Sequence, residues 1–231
     1  MKIAIQIPIK SRTSTRVPNK NFRDLNGKPF FSWIIDEILK IDRHNIDIYI
    51  DSEDESAFKI IQKHYAEKSA KLKFHQRHEW LASDNANGNH LLSNFAAHHA
   101  DYDVYTQAFV TAVTLKSIVI KEALDAFLAN LDQYDSMTLV HPENGWVWYN
   151  GQAINYQPNL PNGLPRSQDA QYLKETTGLY CITRDALFKT SCRVGEKPLL
   201  YEVDSFSAVD IDTMEDFRNA ENLLKELSKR D

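Results

Sequence analysis

The sequence predicts an α/β fold: one mostly parallel sheet with helices on both faces, in a single domain of 231 residues. Three observations carry that expectation. Short apolar runs alternate with stretches of helical periodicity along most of the chain. The first run, Ile3–Ile9, is almost continuously apolar, as in a strand buried on both faces. It ends in a polar loop holding Lys10, Arg12, Arg16 and Lys20, although the net charge of the chain is -5. In open α/β sheets ligands bind outside the carboxyl ends of the strands, and a loop this basic suits an anionic ligand there.

The remaining elements follow in order. Asn26-Gly27-Lys28-Pro29 reads as a turn, with Pro29 suited to a first helical position. Phe30, Phe31, Ile34, Ile35 and Ile38 then recur at helical spacing. Ile46–Ile50 reads as a second strand, Ala57–Tyr65 as a helix and Leu72–Phe74 as a third strand. Leu91–Ala97 and Ile118–Leu128 read as helices, with Val104–Val110 and Ser136–Val140 as strands. The pattern breaks over 141–175, which holds Trp146, Trp148, Tyr149, Tyr156 and four prolines. That segment is too long for a plain connection; it reads as a lid, a dimer arm or a hairpin closing the sheet edge. Regular structure returns at Gly178–Thr183. A last helix starts at Thr213, with Asp216 as its capping partner and Met214, Phe217, Ala220, Leu223, Leu224 and Leu227 as its inner face.

Composition narrows the function. Hydrophobic residues make up 42% of the chain, enough for a sizeable core. An acidic net charge argues against non-specific nucleic-acid binding. No apolar stretch approaches the roughly 20 residues that span a bilayer, and the first apolar run lacks a small-residue cleavage site. Cys181 and Cys192 share no metal-binding spacing and read as free thiols. The expectation is a cytoplasmic protein with no membrane and no nucleic-acid partner.

Two further motifs carry chemistry. In Val209-Asp210-Ile211-Asp212-Thr213, residues two apart on a strand would point the same way. Asp210 and Asp212 would then offer paired carboxylates, which suit Mg²⁺ alongside phosphate oxygens. Such a pair is common in acidic chains. With the basic loop it supplies what a triphosphate needs from both sides. In Pro165-Arg166-Ser167-Gln168-Asp169, Arg166 can pair bidentately with a carboxylate or phosphate, or simply lie on an exposed loop. Neither GxGxxG nor GxxxxGK[ST] occurs, which argues against dinucleotide-binding and P-loop proteins. The histidines suggest no general base: His98 and His99 point apart on a helix, and His75 and His78 read as surface residues.

On these residues the chain resembles the acylneuraminate and 3-deoxy-manno-octulosonate cytidylyltransferase family, the CMP-sialic acid synthetase type. The matching residues are Ile7-Pro8, Arg16-Val17-Pro18-Asn19-Lys20-Asn21, Asn26-Gly27-Lys28-Pro29 and Asp51-Ser52. Arg77 with Leu81-Ala82-Ser83-Asp84, Gln107, Arg166-Ser167-Gln168-Asp169, Gly178-Leu179-Tyr180 and Asp210-Ile211-Asp212 complete the set. The resemblance implies a three-layer αβα sandwich with a Rossmann-like sheet, of the nucleotide-diphospho-sugar transferase type, usually a homodimer. It implies transfer of CMP from CTP to an acidic small-molecule acceptor, with release of pyrophosphate. Arg16 and Lys20, with Lys10 and Arg12, would hold the triphosphate; Asn21, Arg77, Asn87 and Gly88 would contact the cytidine. Gln107, Arg166 and Gln168 would face the acceptor, and Asp210 and Asp212 would hold Mg²⁺. Arg16, Lys20 and Asp212 would be the catalytic set.

The chain departs from the family in two places. Its first loop, 10–20, lacks the usual glycine, so side chains there carry more of the phosphate contact. Its Gln107-Ala108-Phe109-Val110-Thr111 replaces a proline-bracketed segment near the acceptor. The resemblance implies a 2-keto-3-deoxy sugar acid as acceptor, a sialic-acid-like nonulosonate or an octulosonate; the changed segment leaves a phosphonate or another small acid as the alternative. A non-catalytic nucleotide-binding protein on the same fold is the alternative of another class.

Overall fold

The computed structural model describes residues 1–11, 17 and 19–227, apart from the side chain of Leu227. Arg12 and Arg16 lie outside the described residues. Seven strands form one sheet: β1 (Ile3–Pro8), β2 (Ile46–Ser52), β3 (Leu72–Gln76), β4 (Val104–Ala108), β5 (Ser136–Asn144), β6 (Gln171–Thr183) and β7 (Pro198–Glu202). Their order is β7-β5-β6-β4-β1-β2-β3. β1 pairs in parallel with β2 and β4, β2 with β3, and β5 with β7. β6 alone runs antiparallel to both of its neighbours, β4 and β5.

Helices cover both faces, which makes three layers. Side chains alternate across a strand, so Ile3, Ile5 and Ile7 join the larger core while Ala4 joins the smaller one. The larger core is closed by α1 (Ser32–Leu39), α2 (Glu55–Tyr65), α4 (Ser117–Ala129) and α6 (Met214–Leu227). The smaller is closed by α3 (Gly88–His98) and α5 (Arg184–Thr190), through Leu92, Phe95, Ala96, Ala186 and Leu187. Glu37 of α1 accepts from the Ser117 N–H at the start of α4 at 2.9 Å, so one helix caps the other with a carboxylate. Thr213 and Asp216 form the expected reciprocal cap of α6: Thr213 N–H donates to Asp216 Oδ2 at 2.8 Å and Asp216 N–H to Thr213 Oγ1 at 3.1 Å.

Four expectations need correction. Asn26 and Gly27, both at positive φ, form the two-residue loop of a hairpin pairing Asp24–Leu25 with Lys28–Pro29, and the helix starts only at Ser32. Pro29 therefore ends a short strand, because the Asn-Gly loop supplies the left-handed turn a hairpin needs. The irregular segment is shorter than 141–175. β5 runs on to Asn144 and β6 starts at Gln171, paired from Gln171↔Asn144, so the departure covers 145–170. β6 lies inside the sheet, so this long hairpin does not close an edge. Residues 209–212 form no strand, so the two-apart argument for Asp210 and Asp212 does not hold. His75 is buried, facing α3, with Nδ1 3.1 Å from His99 Nε2 and Nε2 3.3 Å from Asn94 Oδ1.

The helix that follows Asp210 and Asp212 is anchored by Phe217, whose ring stacks on Phe30 at 5.9 Å. Phe217→Ala should lower unfolding free energy by about 3–5 kcal/mol, read from urea midpoints. A loss under about 1 kcal/mol would mean that α6 does not depend on this contact.

Candidate active site

The strand order reverses at β1, which has β2 on one side and β4 on the other. Outside the carboxyl ends of these strands lies a cleft of about 640 Å³. Its walls are the loop after β1, the loop after β3, the start of α3 and the residues after β4. They include Lys10, Lys20, Asn21, Arg77, Asn87 and Gly88, together with Phe109, Val110 and Thr111. Six of the expected nucleotide residues thus meet around one space. A neighbouring hollow of about 780 Å³ shares Lys10, Ser83 and Asp84 but is lined by Glu53, Asp54, Glu55 and Glu79. Those carboxylates would repel a triphosphate, so an anionic ligand suits the first cleft better.

Each wall is held by local chemistry. Lys20 Nζ donates to the Ile211 carbonyl at 2.8 Å and stands 3.9 Å from Asp212 Oδ1, which ties the first loop to the approach of α6. Asn21 is nearly buried, and its amide donates to the Lys10 carbonyl at 2.6 Å. It therefore shapes the loop. Asn87 caps α3 by accepting from Asn89 N–H at 3.0 Å and His90 N–H at 3.2 Å, while His90 Nδ1 accepts from Asn87 N–H. The positive end of an 11-residue helix consequently faces the cleft.

A buried polar chain forms the floor. Gln107 is fully buried and donates to Gln6 Oε1 at 2.8 Å and to the Gly88 carbonyl at 3.1 Å. Gln6 donates in turn to Asp51 Oδ2 and to the Leu91 carbonyl. Arg77 Nη1 donates to Asp51 Oδ1 at 3.3 Å and Nη2 to Glu53 Oε2 at 2.9 Å. The guanidinium of Arg77 is thus spent on two carboxylates beneath the cleft, and its expected cytidine contact is at most indirect. Burial pushes Asp51 up from 3.8 to about 6, against the pull of Arg77 and Gln6. Burial acts the same way on Glu53, but the Ser11 N–H and Arg77 hold that carboxyl below its ordinary value. Gln6 and Glu53 were missed in the sequence; a glutamine inside an apolar strand is the signal that marks the first.

Among the buried oxygens that lack partners among the described residues, two belong to expected site residues. One is Gln107 Oε1, at the floor. The other is Asp210 Oδ1, near the point where Lys20 meets Asp212. An unpaired buried carboxylate oxygen is costly, and a hard cation satisfies it, so Asp210 and Asp212 fit Mg²⁺ on this ground rather than on strand periodicity.

Arg166 and Gln168 are not brought to the cleft. Both lie on the exposed hairpin between β5 and β6, and the Arg166 side chain, 74% exposed, closes on Asp169 at 2.7 Å. The hairpin diverges from the sheet after Asn144, which carries these residues away from the cleft walls of their own chain.

A family model described as cytidylyltransferase matches residues 7–229. The chain belongs to the cytidylyltransferase family. It is 24% identical over 213 residues to N-acylneuraminate cytidylyltransferase A of Danio rerio, covering 90% of this chain and 47% of that protein. The chain thus spans about half the length of that relative. It is also 24% identical over 221 residues to pseudaminic acid cytidylyltransferase of Campylobacter jejuni, covering 92% of each. Among solved structures it is similar to CMP:2-keto-3-deoxy-manno-octonic acid synthetase complexed with CTP. That match has TM-score 0.70 and 17% identity, over 98% of this chain and 99% of that one. It is also similar to 4-diphosphocytidyl-2C-methyl-D-erythritol synthase from Anaerococcus prevotii, with TM-score 0.64 and 9% identity, over 97% and 96%. The last two likenesses show the three-layer α/β fold that the sequence implied.

The raised Asp51 has a consequence for stability. Its proton is held more tightly in the folded chain, so its contribution is fully present below about pH 4 and is lost as the pH rises through about 6. Asp51→Asn cannot ionise. Relative to the unsubstituted protein it should gain stability between about pH 4 and pH 7.5, by roughly 1–3 kcal/mol in urea titrations. A difference that stays constant over that range would show that Asp51 does not titrate there.

Proposed function

We propose that this cytidylyltransferase transfers CMP from CTP to a 2-keto-3-deoxy sugar acid of the nonulosonate or octulosonate type, releasing pyrophosphate. The observation that carries the reading is the single cleft uniting Lys10, Lys20, Asn21, Arg77, Asn87 and Gly88 at the reversal of strand order. The acidic sugars named in its relatives and in its structural neighbour set the acceptor class.

In this reading the cytidine lies by the start of α3 and the triphosphate runs toward Lys20. By resemblance Arg16 and Arg12 join Lys20 and Lys10 on the phosphates. An acceptor oxygen attacks the α-phosphorus of CTP and pyrophosphate leaves. The protein's contribution is to place the two reactants and to offset charge as it moves onto the leaving group. Mg²⁺ held by Asp210 and Asp212 would neutralise phosphate charge alongside these cations. Lys20, bonded to Ile211, places an ammonium at that junction.

The hairpin over 145–170 is proposed as the arm of a homodimer. Trp146, Trp148, Tyr149, Ile154, Leu160 and Leu164 are all exposed on it. Arg166 and Gln168 would meet an acceptor only across such an interface. Among the described residues no helix is long and apolar enough to cross a membrane, and Cys181 and Cys192 are both free. Free thiols and the need for CTP support the cytoplasm.

A ligand that binds only the native state raises its melting temperature. CTP should do so more than ATP, GTP or UTP at equal concentration, and equal shifts from all four would remove the cytidine assignment. Asp210→Ala and Asp212→Ala should each cut pyrophosphate release by about 100-fold or more while circular dichroism stays native. Normal release by Asp212→Ala at limiting Mg²⁺ would displace the metal from this pair.

A further inference from the structure

Beyond the expected residues, a cation that no motif marked lies beside the cleft, against Gly88 and Phe109. We propose that Arg193 binds the carboxylate of the acceptor, with Gln107 Oε1 accepting from a hydroxyl beside it. The inference rests on the reading above that the acceptor is an acid.

Arg193 lies between α5 and β7, and three contacts hold it. Its backbone N–H donates to Asn89 Oδ1 at 3.0 Å, at the start of α3. Its Nη2 donates to the hydroxyl of Tyr180 at 3.0 Å. Its guanidinium carbon stands 3.8 Å from the centroid of the Tyr180 ring and 5.7 Å from that of Phe109, a wall of the cleft. Tyr180 itself is fully buried, so the platform is rigid. Glu175 Oε1, 3.6 Å from Nη2, forms an ion pair with it, too long for a hydrogen bond. Nη1 and Nε donate to no described residue.

Gly88 is what Nη1 of the guanidinium packs against. A Cβ there would collide with Arg193 Nη1 and stand 3.1 Å from Gln107 Oε1. Gly88 is not at positive φ, so the turn does not demand glycine; the space does. Two groups therefore pack against Gly88, a residue that lines the cleft. One is a cation whose Nη1 is unused and whose Nη2 keeps a second N–H beyond its bond to Tyr180. The other is a fully buried carbonyl oxygen with no donor.

Those two groups specify a ligand. A planar fork of N–H donors fits a carboxylate, which a lysine cannot match. A lone carbonyl acceptor wants a hydroxyl. In its ring form a 2-keto acid bears a carboxylate and a hydroxyl on the same carbon, so both groups can be met at once. The Arg193 side chain is 24% exposed, reachable yet partly desolvated, which strengthens an ion pair.

The test uses the whole protein with CTP and two acids, 3-deoxy-manno-octulosonate and N-acetylneuraminate, each beside its carboxamide. Arg193→Gln should raise the KM for the acid about 10- to 100-fold, the loss of one or two charge-assisted hydrogen bonds. The KM for CTP should stay within about twofold. The preference of the unsubstituted enzyme for acid over carboxamide should disappear, and Arg193→Lys should restore only part of it. An unchanged acid KM overturns the proposal, as does a CTP KM that rises in step. If Arg193→Gln also lowers the melting temperature, the ratio of acid to carboxamide decides: bracing Tyr180 alone would leave the ratio intact, and an intact ratio overturns the proposal. If the unsubstituted enzyme uses neither acid while CTP still raises its melting temperature, the acidic-acceptor reading falls, and this inference with it.

Discussion

At the centre of the sheet, Gln6 accepts from Gln107 of β4 and donates to Asp51 of β2. It is a fully buried polar residue in a strand otherwise made of isoleucine, alanine and proline. The amide bridges β1 to both of its parallel neighbours at the level where the strand order reverses. Its third bond, to the Leu91 carbonyl, brings in α3. The floor of the cleft, the buried Arg77 and the start of α3 are thus registered against one side chain. A buried polar chain of this kind specifies geometry as long as its members stay paired. The oxygen it leaves unpaired, on Gln107, stands where a substrate hydroxyl is proposed to bind, and the unpaired oxygen of Asp210, outside this chain, stands where a cation is proposed.

Charge is arranged in layers about that floor. Arg77 is consumed below it by Asp51 and Glu53, so the basic character of the cleft comes from Lys10, Lys20, the helix start at Asn87 and, beyond Gly88, Arg193. Lys20 reaches back to the segment before α6, which is why a motif near the C-terminus meets a loop near the N-terminus. The arrangement is electrostatic. Its cations and dipoles are positioned before substrate arrives, and in the proposed reaction that preorganisation would lower a barrier in which charge moves along a phosphate chain.

The sheet was legible because its strands, buried on both faces, left compact apolar runs at Ile3–Ile9, Ile46–Ile50 and Val104–Val110. The ends were harder. Pro142 and a polar stretch hid the continuation of β5 to Asn144, since cross-strand pairing, not composition, extends it. Asn26-Gly27 carried a hairpin signal that the following proline obscured. α5 and β7 are short and flanked by polar loops, so their pattern is weak. At the site, Lys20, Asn21, Asn87 and Gly88 were readable from the motif string. The burial of Arg77 was not, because its partners Asp51 and Glu53 sit on another strand's end. Arg193 had no local signal: its role depends on Tyr180, Asn89 and Gly88, which only the fold assembles. The exposed position of Arg166 follows from the divergence of the hairpin, also a tertiary fact.

The most direct measurement is pyrophosphate release from CTP over a panel of 2-keto-3-deoxy sugar acids, with Mg²⁺ present. The account predicts release that requires both CTP and one of the acids, with stoichiometric formation of the CMP-linked sugar. Tight CTP binding with no release for any acid on the panel would contradict it.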